Sequence, residues 1–209
     1  QEDWARRLLN EAISFSPADG TEIILTGGKM FLTRFADNRI HQNVLKKDYE
    51  LMVKTVLGNK AGVASRNVFD GIELKRLVDD ALEITRHQKE DPELPPLMAM
   101  PGPEKNILKS YDPRVMKVTP DDKSTVLEGY FRRSGAKNLN MSGSFVTSDS
   151  MLAYANSAGT FRYHSWTNSN IILLLTASDG RIGWAEQHGP FFDDLDVEAR
   201  FDEALGKVR

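Results

Sequence analysis

A chain of 209 residues, 40% hydrophobic and 27% charged, is long enough for one large domain or two small ones, each with a proper core. Its net charge of −3 and pI near 5.9 supply no positive field to gather nucleic acid or anionic lipid, so nucleic-acid binding is not expected. The absence of cysteine excludes disulfides, thiolate nucleophiles and cysteine–zinc sites, and the longest apolar run, 171–175, is far short of the roughly 20 residues that span a bilayer. With no signal peptide visible, the expectation is a cytoplasmic protein without membrane attachment. Gln1 in place of Met implies trimming upstream, by processing or by the choice of expressed boundaries.

In chain order, Trp4, Ala5, Leu8, Leu9, Ala12 and Ile13 recur at helical spacing until Pro17 stops the pattern. A meander follows. Strands are expected over 21–26, 29–35, 39–45 and 49–57, with Gly27-Gly28 allowing a bend or bulge and Ala36-Asp37-Asn38 forming a tight hairpin corner. Asp and Asn suit that corner because they tolerate left-handed backbone angles. Gly58-Asn59-Lys60 turns into a strand over 61–65. Asp70 then caps a helix whose stripe is Leu74, Leu77, Val78, Ala81 and Leu82.

Five prolines (Pro92, Pro95, Pro96, Pro101 and Pro103) exclude regular structure over 91–103 and mark a boundary. Leu94, Leu97, Met98 and Met100 suggest that this segment lies along a surface. The second half repeats the order of the first: a helix from Thr119-Pro120 to about Lys137 burying Val126, Leu127, Tyr130 and Phe131, then strands near 141–148, 151–155, 160–166, 170–177 and 181–187. A last helix starts around 194–196 and carries Val197, Phe201, Ala204, Leu205 and Val208 on one side. No residue-level repeat relates the halves. That helix is still in amphipathic register at Arg209, with no glycine or proline stop, so the chain is expected to continue and to cover the stripe with a later partner. The fold class expected is α+β, in two subdomains that each carry an antiparallel sheet or meander covered by amphipathic helices. The divisions are 1–90, a proline-rich linker 91–118, and 119–209.

Several residues could carry chemistry, each with a plainer alternative. Arg34, Asn38 and Arg39 flank the hairpin corner and could grip a peptide or a partner subunit through forked guanidinium bonds. Otherwise Asn38 simply makes the turn and the arginines are solvated or paired. Glu186 and His188 alternate onto one strand face, but two such groups make no closed metal or acid–base site alone. His87 suits the end of the Asp70 helix, where positive charge meets the dipole. His164 sits among Tyr163, Trp166 and Asn168, which could form a recognition surface; otherwise it lies in an ordinary aromatic-rich strand. The hydroxyls of 142–148 lack a nucleophile elbow, and neither Gly27-Gly28 nor Gly58…Gly62 has the spacing of a phosphate loop. Lys46-Lys47 and Arg132-Arg133 read as solvated pairs. No catalytic or metal residue is assigned.

The wording T-R-F-A-D-N-R-I-H-Q over 33–42 resembles the N-terminal region of the TldD/PmbA family, peptide-maturation proteases also called modulators of DNA gyrase. V-L-G-N-K-A-G-V-A-S-R-N (56–67), S-G-S-F-V-T-S (142–148), A-N-S-A-G (155–159) and G-W-A-E (183–186) resemble later stretches of that family in the same order. The resemblance covers the family's N-terminal and middle regions. It implies that catalytic members hold zinc in a later domain through His-Glu-x-x-x-His and a further cysteine, with paired histidines facing one metal and the glutamate activating its water. Here His41, His87, His164 and His188 are scattered, so no cofactor is expected in this chain, zinc being expected in a full-length parent. The implied function is the substrate-chamber and assembly portion of a zinc-dependent peptidase, inactive alone. The alternative is part of a non-catalytic PmbA-like subunit that binds peptide and pairs with a zinc-bearing one. Implied partners are a peptide substrate and a second family subunit, in a homo- or heterodimer. Direct action on gyrase or DNA ranks last, because clustered Lys and Arg are wanting.

Overall fold

The computed structural model describes residues 1–67, 70–100, 102 and 110–208. Pro101, Pro103 and Arg209 lie outside the described residues. The elements are α1 (Glu2–Ser14), β1 (Gly20–Ala36), β2 (Arg39–Leu57), β3 (Lys60–Arg66), α2 (Gly71–His87), α3 (Pro120–Gly135), β4 (Leu139–Asn156), β5 (Phe161–Ala177), β6 (Ile182–Gly189) and α4 (Val197–Val208). The six strands form one antiparallel sheet in the order β3-β2-β1-β4-β5-β6. The fold class is therefore α+β, and the strand order of the second half mirrors that of the first. No described helix is long and apolar enough to cross a membrane.

The strands are fewer and longer than the sequence suggests. The pairs expected over 21–26 and 29–35, 39–45 and 49–57, 141–148 and 151–155, and 160–166 and 170–177 are each one continuous strand. The polar run Lys46-Lys47-Asp48 reads as a break, yet an exposed strand tolerates charge, so β2 runs through it. Gly27 has φ 149, and a side chain there would strike the Asp48 carbonyl. On β2 the core-facing positions change parity, from Ile40 to Leu51, Val53 and Thr55, whereas on β1 Ile23, Leu25, Thr33 and Phe35 keep one parity.

By compactness the chain divides into two units, each assembled from three separate segments. Unit 1 comprises Gln1–Gly28, Asp48–Leu108 and Met151–His164; unit 2 comprises Lys29–Lys47, Lys109–Ser150 and Ser165–Arg209. This division differs from the contiguous one at the proline-rich segment, because the long strands pass from one unit into the other.

In unit 1, α1 contributes Ala5, Leu8, Leu9 and Ala12 to the core and α2 contributes Leu74, Leu77, Val78 and Ala81. They pack on Ile23, Leu25, Leu51, Val53, Met151, Ala153 and Ala155. Asp70 caps α2 as expected, its carboxylate accepting from Glu73 N at 2.8 Å. A Cβ on Gly62 would collide with the Thr85 backbone, so α2 lies directly on β3.

In unit 2 the core gathers Leu127 of α3, the whole expected stripe of α4 (Val197, Phe201, Ala204, Leu205, Val208), and Phe35, Leu139, Met141, Phe145, Ile171, Leu173, Leu175 and Ala185. Thr119 and Asp122 close a capping box at the start of α3. A Cβ on Gly183 would collide with the Ala204 carbonyl, which seats α4 on β6. The inner face of α3 differs from expectation. Val126, Tyr130 and Phe131 are only half-buried, while Lys123 and Ser134 are fully buried. Ser110 and Asp112 run beside β5, Thr167 N donating to Ser110 O at 2.8 Å and Asp112 N to Thr167 Oγ1 at 3.0 Å.

Candidate functional site

The hairpin corner sits in unit 2 and is built as its residues dictate. Asp37 and Asn38 have φ 51 and 57, the left-handed pair that a two-residue turn between twisted strands requires. Asn38 does more than turn. Its Nδ2 donates to Leu139 O at 2.9 Å, its Oδ1 accepts from Met141 N at 2.8 Å, and its backbone N donates to Met141 O at 3.2 Å. The side-chain amide is thus committed to the first turns of the β4 ladder, and it fixes where the corner stands. Arg34 and Arg39 are exposed beside it. Arg34 Nη1 donates across the hairpin to Gln42 Oε1 at 3.4 Å, a long contact that leaves most of the guanidinium facing solvent. The three residues flanking the corner therefore separate into one that positions and two that present charge.

A second feature of unit 2 is Lys123, only 1% exposed. Its Nζ donates to Phe31 O at 2.8 Å and Phe145 O at 3.4 Å and stands 5.5 Å from the Phe145 ring centroid. Burial pushes its pKa down to about 8. Nothing in composition marks this lysine, but its spacing does. Lys123, Leu127 and Ser134 fall on one face of α3 at i, i+4 and i+11, the buried stripe of that helix.

The remaining candidates do not converge. Glu186 accepts from Asn170 Nδ2 at 2.8 Å, with His188 exposed farther along β6. His87 ends α2 and pairs with Glu83 at 2.9 Å. The acidic residues before α4 and in its first turn are largely committed: Asp193 pairs with Arg114 at 3.0 Å, Glu198 with Arg133 at 2.7 Å, and Asp196 caps α4 through Ala199 N at 2.9 Å. The Arg133 bond holds the Glu198 carboxyl below its ordinary value. Among the described residues no three His, Cys, Asp or Glu side chains are grouped so as to hold a metal ion.

Residues 21–85 match the family model for PmbA/TldA metallopeptidase domain 1. No curated protein matches the sequence. The fold is similar to the crystal structure of TldE from Thermococcus kodakarensis (TM-score 0.81, 17% identity, 97% of this chain and 46% of that one). It is also similar to two proteins described as candidate modulators of DNA gyrase. One is from Thermotoga maritima (TM-score 0.80, 13% identity, 97% of this chain and 47% of that one). The other is from Bacteroides thetaiotaomicron (TM-score 0.83, 16% identity, 99% of this chain and 48% of that one). The chain thus spans about half the length of these structures, and at such identities the likeness is one of fold. The stretches 33–42 and 56–67 fall inside the matched segment, and the TldD/PmbA resemblance is borne out.

Proposed function

We propose that this chain, with its TldD/PmbA-family residues 21–85, forms the substrate-chamber and assembly part of a zinc-dependent peptidase acting in proteolysis or peptide maturation in the cytoplasm. The observation that carries this reading is the match of 21–85 to the first domain of PmbA/TldA metallopeptidases. The fold likeness over 97–99% of the chain supports it. Hydrolysis is assigned to a zinc site in sequence corresponding to the other half of the longer relatives. Within this chain, Arg34 and Arg39 offer forked donors to a peptide carboxylate or a second family subunit, and Asn38 holds their hairpin in place. The neighbouring strand supports peptide handling as well. β3 pairs only with Leu51–Leu57 of β2, so among the described residues no strand lies on the outer side of 39–45. An extended peptide can add to such an edge through its backbone, with little regard to sequence.

The test is cleavage of unfolded peptides by the 209-residue chain, alone and mixed with a zinc-bearing TldD-family subunit. The chain alone is expected to be inactive and to co-elute with that subunit. Zinc-dependent cleavage by the chain alone contradicts the proposed division of labour.

A further inference from the structure

In unit 1 the stretch 95–100 (Pro-Pro-Leu-Met-Ala-Met) runs as a strap over the sheet, in no regular structure of its own. It is held at three points. Leu97 lies over Gly20, its Cδ2 3.5 Å from where a Cβ on that glycine would stand, beside Val56. Asn156 Nδ2 donates to Met98 O at 3.0 Å, and Met100 N donates to Thr160 Oγ1 at 2.8 Å. Asn156 and Thr160 are each 4% exposed and brace one another, Thr160 N donating to Asn156 Oδ1 at 3.0 Å. The seat is therefore buried and internally hydrogen-bonded, whereas the strap is not buried in it, Met98 being 67% and Met100 56% exposed. Beneath it, Glu22 accepts from Tyr154 at 2.8 Å and pairs with Lys54 at 2.8 Å. About 200 Å³ stays open between these residues and the strap.

One aliphatic side chain in a notch, with backbone groups one and three residues later held by buried side chains, is how proteins hold extended peptides. We propose that the strap is a displaceable internal occupant of a peptide groove on unit 1. The groove's ligand is an extended peptide of another chain, with a leucine-like side chain in place of Leu97 and its following C=O and N–H on Asn156 and Thr160. This rests on the reading of the chain as part of a peptide-handling protein. Because Glu22 and Lys54 neutralise each other, the groove favours uncharged residues at the notch. A tethered strap competes at an effective concentration in about the millimolar range, so an external peptide gains affinity once the strap is loosened.

The test uses the acetylated, amidated hexapeptide Pro-Pro-Leu-Met-Ala-Met, labelled for fluorescence anisotropy, and a control peptide with aspartate for leucine. Leu97→Asp is expected to bind the leucine peptide at least tenfold more tightly than the unsubstituted chain does, and the control undetectably at millimolar concentration. In the unsubstituted chain, millimolar leucine peptide is expected to speed hydrogen exchange at the Met100 amide. Should Leu97→Asp not fold, Leu97→Ala serves, with a gain of a few-fold. Equal binding of the two peptides, or no binding to either variant at millimolar concentration, overturns the groove. Loss of the groove with the zinc-bearing assembly intact leaves the proposed function standing, whereas cleavage by the chain alone refutes the function without touching the groove.

Discussion

Replacing Lys123 by methionine separates the energetics of a buried amine from those of packing. The side chain keeps its length and its apolar stem, and only the charge and the bonds to Phe31 O and Phe145 O are lost. The lysine has an ordinary pKa of 10.5 in the unfolded chain and about 8 in the fold, where burial penalises its charged form. That gap corresponds to ~3.4 kcal/mol. Between these values the unfolded chain retains a proton that the folded chain has released, so this lysine makes stability rise with pH from about 8 to 10.5. Urea unfolding followed by circular dichroism at pH 7, 8, 9, 10 and 11, on both proteins, isolates the effect. The difference between the unsubstituted chain and Lys123→Met should move by ~3 kcal/mol in favour of the lysine across that range. Tyr130 and Tyr154, both raised by burial, titrate in both proteins and cancel in the difference. Parallel stability curves would refute the burial of Lys123.

Asn38→Ala removes both side-chain bonds to β4 and leaves a β-carbon at φ 57. It should cost ~2–3 kcal/mol in urea unfolding, with Asn38→Asp costing less because the acceptor for Met141 N survives. Gly183→Ala forces α4 off β6 and should lower stability by ~3 kcal/mol, seen as faster hydrogen exchange along Val197–Val208 before global unfolding. Thr119→Ala opens the capping box and should cost ~1 kcal/mol in thermal melting. Burial pushes the Glu22 carboxyl up, but its bonds to Lys54 and Tyr154 together outweigh that and hold its pKa below 4.5. Its contribution is therefore present above 4.5 and lost as pH falls through the lower folded value, so Glu22→Gln should flatten the acid limb of the stability curve.

The helices were the most legible part of the sequence, because an apolar stripe and a cap are local signals. The Asp70 cap, the start of α3 at Thr119-Pro120 and the α4 stripe stand where the sequence puts them. The hairpin corner was legible for the same reason, since Asp37-Asn38 tolerates left-handed angles. Strand lengths were not. Lys46-Lys47-Asp48 and the glycines at 27 and 28 look like interruptions to local propensity, and only the neighbouring strands decide that the ladder continues. The second task of Asn38, gripping residues about a hundred positions away, has no local signal at all. Lys123 was hidden differently. Its position lay within a buried stripe, but a lysine there reads as solvent-facing until two strand carbonyls are found to accept from it. The interleaved units follow from strands long enough to serve both cores, which a reading of sequence-contiguous halves does not anticipate.

The most direct test of the proposed role is to read the parent coding sequence past Arg209 and to confirm its length by intact mass of the native protein. A downstream His-Glu-x-x-x-His with a later cysteine is the expected result, and it makes this chain the scaffold of a zinc peptidase. A long extension without that motif contradicts the role and makes the parent a non-catalytic partner subunit, and a stop codon at Arg209 contradicts both.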